Sequence, residues 1–217
     1  MSKNVIITGT SSGIGFELVK LFSENNHNIL AISRNNEALR ILDLPNVSTI
    51  DFDLTKSEEF SSLDEILNSF ENIDILINNA GHLVNKSFEE TTLKDFQDVY
   101  STNVFSVAML IKKVIKFMST KSNVVNISSI GGVQGSVKFS GLSAYSSSKA
   151  ALNILTEMLA EGTPLTPEIQ LEAEREARQR LSGLDSREKP CLFEHLVSLC
   201  TKIKQTLRIR AESISKQ

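Results

Sequence analysis

From Asn4 to about Ala160 the chain alternates short β-branched or aliphatic runs with turn residues and then stretches of helical periodicity. That rhythm is the mark of a parallel sheet, because parallel strands need crossovers of a dozen or more residues and helices usually supply them. Strands are predicted near Asn4–Thr8, Asn28–Ser33, Val47–Asp51, Ile73–Asn78 and Asn123–Ser128. Each run is too continuously apolar to have one wet face, so helices should cover both sides of the sheet. Helices are predicted over Gly13–Asn25, Asn36–Leu42, Ser57–Phe70, Leu93–Met118 and Ala144–Ala160.

At 217 residues the chain has room for one main α/β core with an appended segment. Its net charge of −3 creates no field that would recruit nucleic acid or an anionic membrane, and no basic stripe interleaved with aromatics occurs. The apolar runs are strand-length, well short of the roughly 18 residues a membrane span requires. Met1-Ser2-Lys3-Asn4 leads directly into the first strand without the pattern of a secretory leader, so a cytoplasmic location is expected. Cys191, His195 and Cys200 lack a fourth ligand and the paired spacing of a structural zinc site, so no metal is expected.

Beyond Glu161 the character changes. Eight of the ten glycines precede Leu142, and Pro167 to Leu184 is dense in Glu, Arg, Gln, Leu and Ala, a helix-forming composition. Pro190 interrupts it, and Cys191 to Ile209 again carries apolar residues at helical spacing. The expected organisation is a nucleotide-binding catalytic domain over residues 1–161 and a helical C-terminal segment, without strands, over residues 162–217.

Thr8-Gly9-Thr10-Ser11-Ser12-Gly13-Ile14-Gly15 falls where the first strand ends and the first helix begins. Gly9 permits a turn that a β-carbon would obstruct, Gly13 lets the backbone approach a pyrophosphate, and Gly15 lets helix and strand pack closely. The helix amino terminus offers unpaired N–H groups to the anion. Taken alone, the pattern also fits a flexible glycine-serine loop. Selectivity for the adenosine ribose belongs at the end of the second strand, where an acid suits a 2′-hydroxyl and an arginine a 2′-phosphate. Ser33-Arg34 stands there, and no Asp or Glu occurs between Glu24 and Glu37. NADP(H) is therefore expected over NAD(H), with Arg34 as the pairing cation. The plainer reading of Arg34 is a solvated loop charge.

Thr8 to Gly15, Asn78-Asn79-Ala80-Gly81, Asn103, Asn126-Ile127-Ser128-Ser129 and Tyr145-Ser146-Ser147-Ser148-Lys149 together resemble the classical short-chain dehydrogenase/reductase family over roughly residues 1–161. The resemblance implies a Rossmann-like, doubly wound parallel sheet and hydride transfer between NADP(H) and a carbonyl or alcohol. Tyr145 and Lys149 are four residues apart at the start of a helix pattern, hence on one face. A phenol with an ordinary pKa of about 10 is a poor proton shuttle at neutral pH, but a neighbouring ammonium favours phenolate.

By resemblance Tyr145 is the general acid/base, Lys149 tunes it and holds the nicotinamide ribose, and Ser129 polarises the substrate oxygen. Ser128 competes for that last role, since adjacent strand residues simply point oppositely. The resemblance gives Asn103 a place in a water-linked proton relay, although a mid-helix asparagine can be a tolerated polar residue. It sets Asn79, Ala80 and Gly81 beside the adenine ribose and the pair Asp53 and Leu54 against adenine. Asp53 would serve as readily as a helix cap.

Ser129 to Tyr145 is longer than the commonest family spacing by about three residues. The family's sixth strand, nicotinamide-side Pro-Gly turn and substrate lid have no counterpart after Glu161 in this reading, which leaves a second expectation. A truncated or fused chain would bind nucleotide or a partner without chemistry. A small carbonyl or alcohol substrate and a homodimer or homotetramer complete what the resemblance implies.

Overall fold

The computed structural model describes residues 2–162 and 168–170. The β-branched runs form β1 (Asn4–Thr8), β2 (Asn28–Ser33), β3 (Val47–Asp51), β4 (Ile75–Asn78) and β5 (Asn123–Asn126). Every pairing among them is parallel, and the order β3-β2-β1-β4-β5 reverses direction between β1 and β4. Open α/β sheets bind ligands at such a reversal, outside the carboxyl ends of the strands.

A further strand, β6 (Glu168–Gln170), pairs in parallel with β5 through Ile169 opposite Val124 and makes a six-stranded sheet among the described residues. This corrects the expectation that the segment after residue 161 carries no strand. Helix propensity along Pro167 to Leu184 misled because it is a weak prior: the open edge of β5 offers unpaired backbone groups, and pairing with them outweighs a few tenths of a kcal/mol per residue. The described residues all belong to one compact unit spanning residues 1–171. The helices expected after Gln170, together with Cys191, His195 and Cys200, lie outside the described residues.

Alternation along the strands divides the core into two layers. Ile6, Leu30, Ile32, Leu76 and Val124 point to one side, where they meet Val107, Leu110, Ile111 and Val114 of α5 (Ser106–Val114) and Leu152 of α6 (Ser143–Gly162). Val5, Ile7, Ile29, Ala31 and Ile77 point to the other, against Val19 of α1 (Gly13–Glu24) and Leu39 of α2 (Glu37–Leu42). A sheet buried on both faces explains why its strands read as unbroken apolar runs.

Two predicted helices are less regular than their periodicity implied. Ser57–Phe70 becomes a 3₁₀ segment, Ser57–Leu63, and one short turn, α3 (Asp64–Leu67). Its serines compete for the backbone: Ser62 Oγ donates to the Glu59 carbonyl and Ser69 Oγ to that of Ile66. Leu93–Met118 starts on a capping box between Thr92 and Asp95 as α4 (Leu93–Tyr100), widens into a π-turn over Ser101–Phe105, and resumes as α5. It ends in a 3₁₀ turn, Ile115–Phe117. No helix among the described residues is long and apolar enough to cross a membrane.

Candidate active site

The turn between β1 and α1 divides its residues by exposure. Ser11, Ser12, Gly13 and Ile14 face solvent, while Thr10 and Gly15 are buried. Gly9 has φ +69°, and a β-carbon there would lie 2.7 Å from the Ala80 Cα, so the turn can follow this path only with glycine. Gly13 has φ +61° with nothing within 4 Å of its absent side chain, which leaves open space over the helix terminus. Gly15 is packed against the Gly9 carbonyl and the Asn79 side chain, so its smallness serves the turn more than the strand. Ser12, the residue preceding α1, makes no side-chain capping bond, and the first turn carries no acid. A helix of twelve residues with uncapped N–H groups beneath an open glycine fits a pyrophosphate.

Thr10 has a different role from its neighbours. Its hydroxyl meets Asn36 Oδ1 at 2.6 Å, and both residues are fully buried. Asn36 in turn donates from Nδ2 to the Ile50 carbonyl at 2.7 Å and from its backbone N–H to Asp51 Oδ1 at 3.0 Å. The glycine turn is thereby fastened to the ends of β2 and β3. Arg34 is exposed at the end of β2, and its charge helps hold the Asp53 carboxyl below the usual range. The larger cause of that lowering is the Thr55 backbone N–H, which donates to Asp53 Oδ1 as the Thr55 hydroxyl does. Asp53 thus closes the turn that follows β3, whereas the Leu54 side chain belongs to the core.

At the end of β4, Asn79 Nδ2 donates to the carbonyls of Thr8 and Gly9, and Thr8 Oγ1 accepts from the backbone N–H groups of Asn79 and Ala80. These bonds join the two strand ends that flank the topological reversal. Gly81 follows, and a β-carbon there would sit 3.6 Å from Asn103 Oδ1 and 3.9 Å from Lys149 Nζ, so three predicted site residues converge.

Lys149 is only 3% exposed. Its ammonium donates to the Ile127 carbonyl at 2.6 Å and lies 5.8 Å from the centroid of the Tyr145 ring, confirming that α6 presents both side chains on one face. Asn103 is completely buried at the centre of the π-turn. Its amide accepts from the His82 N–H at 2.8 Å and donates to the His82 carbonyl and to Ser148 Oγ, each at 2.9 Å. Ser148 Oγ donates to the Tyr145 carbonyl at 2.7 Å. The Asn103 side chain therefore ties the segment after β4 to the first turns of α6.

The two serines lie just beyond β5, which ends at Asn126, and make different contacts. Ser128 Oγ donates to the Lys149 carbonyl at 3.2 Å, so this hydroxyl anchors α6. Ser129 Oγ accepts from the Gly131 N–H at 3.3 Å and lies against the glycine that also abuts Ser146 Oγ, which sets it beside the amino end of α6. Gly132 lets this loop lie flush on the Lys149 backbone, where a β-carbon would come within 2.6 Å.

Sequence reasoning missed Thr8, Asn36 and Ser148 as organisers of the site. Ser148 lies inside the Tyr145–Lys149 motif, but its partner Asn103 is 45 residues away. Asn36 entered only as the first residue of a predicted helix; its side chain bonds Thr10, 26 residues away.

The sequence profile described as short chain dehydrogenase matches residues 3–167. An uncharacterized oxidoreductase of Staphylococcus saprophyticus is 34% identical over 164 residues, covering 73% of this chain and 66% of that protein. A 3-ketodihydrosphingosine reductase of Bacteroides thetaiotaomicron is 32% identical over 159 residues, 72% of this chain and 56% of the relative. Matches to the leading curated relatives thus span 56–66% of their lengths. Among solved structures, ElxO with NADP bound superposes with a TM-score of 0.68 at 31% identity, covering 79% of this chain and 71% of that one. A 4-hydroxyisoleucine dehydrogenase complexed with NADH gives 0.66 at 27% identity, covering 78% and 73%. With its profile matched across most of its length and its glycine turn, π-turn and Tyr-Lys helix arranged around one sheet reversal, this chain belongs to the short-chain dehydrogenase family.

Proposed function

We propose that the chain is an NADP(H)-dependent oxidoreductase acting on a carbonyl or alcohol, with Tyr145 as general acid/base. The observation that carries this reading is the Tyr145–Lys149 pair, with a buried ammonium held at the Ile127 carbonyl beside the phenol ring. A positive charge fixed in a low-dielectric setting favours the phenolate form, which is what a proton-exchanging tyrosine needs. Ser129 holds the substrate oxygen so that Tyr145 can give or take its proton. Asn103, with Ser148, sets the start of α6 and thereby the pair itself.

The nicotinamide group, when bound, supplies or accepts the hydride. The residues around the sheet reversal would hold that cofactor: Gly9, Ser11, Ser12, Gly13, Ile14 and Gly15 at the pyrophosphate, with Thr10 bracing the turn from beneath. Arg34 would meet the 2′-phosphate, Asp53 and the Leu54 backbone the adenine, and Asn79, Ala80 and Gly81 the adenine-side ribose. Tyr145 and Lys149 would meet the nicotinamide ribose.

The substrate on this reading is a small carbonyl or alcohol, and the enzyme works in the cytoplasm as a homodimer or homotetramer. Self-association is supported by apolar side chains exposed four residues apart on adjoining helical segments, Phe105 and Met109 on one and Ile154 and Met158 on the other. The decisive experiment is Tyr145→Phe. NADPH oxidation with a panel of carbonyl compounds should fall by about a thousandfold while NADPH still binds; unchanged turnover would remove Tyr145 from the chemistry.

A further inference from the structure

A carboxylate that the sequence order hides sits against the turn where the coenzyme's ribose selectivity is decided. Asp51 ends β3 and is the register partner of Ser33, the last residue of β2. Its Oδ1 accepts the backbone N–H of Asn36, two residues past Arg34, at 3.0 Å. An acid at the end of β2 ordinarily favours a ribose hydroxyl and repels a 2′-phosphate, and Asp51 stands beside that end on the neighbouring strand.

The charge is not left bare. Arg40, one turn along α2, places Nη2 2.6 Å from Asp51 Oδ1 and Nη1 3.6 Å from Glu37 Oε2. Asn36, hydrogen-bonded to the same carboxylate, also grips Thr10 of the phosphate turn at 2.6 Å. The carboxylate is therefore both neutralised and held in the framework that supports the turn.

We infer that the Arg40–Asp51 ion pair is a specificity element for the coenzyme: it masks an acid that would otherwise shift preference from NADPH towards NADH. This rests on the proposed NADP(H) reading and extends it, because Arg34 alone supplies attraction whereas Arg40 removes a repulsion. Discrimination between related ligands commonly uses both. Both partners are about two-fifths exposed, so the effect is screened and depends on salt.

The test is a fluorescence titration of the full chain with NADPH and with NADH, for wild type, Arg40→Gln, and the double variant Arg40→Gln/Asp51→Asn. Glutamine keeps good helix propensity at position 40, so α2 should persist. Arg40→Gln should weaken NADPH about five- to tenfold at low ionic strength and change NADH less than about twofold, the size expected of one screened charge facing a phosphate. The double variant should return NADPH to within about twofold of wild type, and added salt should compress the single variant's deficit. Equal weakening of both coenzymes, no weakening, or failure of Asp51→Asn to rescue would overturn the inference while leaving NADPH as coenzyme. A wild-type chain that prefers NADH, or binds neither, would overturn both.

Discussion

The two ends of the candidate site are built from different materials. On the side of Tyr145 and Lys149, Asn103 and Ser148 are fully buried and Lys149 nearly so, and hydrogen bonds, one of them from the Lys149 ammonium, knit the segment after β5, the π-turn and α6 together. At the ends of β2 and β3 the charges are exposed: Arg34 faces solvent, and the Arg40–Asp51 pair is about two-fifths accessible. Burial makes each polar contact costly to lose and each orientation hard to change. Exposure makes charge adjustable in small, salt-dependent steps. Under the proposed function, chemistry belongs to the rigid half and coenzyme choice to the tunable one.

The comparison is broken most severely if the rigid half proves dispensable. Tyr145→Phe should lower kcat by about a thousandfold, within the 10²–10⁴ that a positioned acid/base contributes, with NADPH affinity nearly intact. Steady-state kinetics beside a binding titration would decide it, and a common loss of both would make Tyr145 a binding residue.

Next in size is Gly9→Ala. The side chain would be forced into a left-handed backbone at φ +69° and against the Ala80 backbone, so coenzyme affinity should fall by more than about tenfold and the thermal midpoint should drop. A variant that binds NADPH normally would mean the turn can re-form without glycine.

Asn103→Ala tests whether the buried amide holds the Tyr-Lys helix. It removes three hydrogen bonds at a fully buried position and should cost about 2–4 kcal/mol of stability, read by urea unfolding. The loss in kcat should exceed that in NADPH affinity, since the amide supports α6 and not the glycine turn. Equal losses would blur the division between the two halves.

The smallest effect lies at the periphery. Asp95 is held below the ordinary carboxylate range, first by the Lys86 ammonium and then by the Thr92 backbone N–H at the capping box. A lowered folded-state pKa stabilises the protein above the unfolded value of about 4, and this contribution fades as pH falls through the folded one. Asp95→Asn should therefore lower the melting temperature modestly at pH 7, and the gap to wild type should narrow below about pH 4. A gap independent of pH would assign the effect to packing.

The alternation of apolar runs with helical stretches determined β1 to β5 and their helical crossovers, because strand and helix periods are local properties of consecutive residues. The same holds for the glycine turn and the Tyr145–Lys149 spacing, whose geometry depends on neighbours a few positions away. Contacts across the fold decided the rest. β6 formed because the edge of β5 had unpaired backbone groups, in a stretch whose composition favours helix. Ser128 became an anchor because α6 brings the Lys149 carbonyl to it. Asn36, Asp51 and Arg40 gained their meaning only when β3 was laid beside β2, since a hydrogen bond or ion pair between distant residues has no signature in the order of the chain.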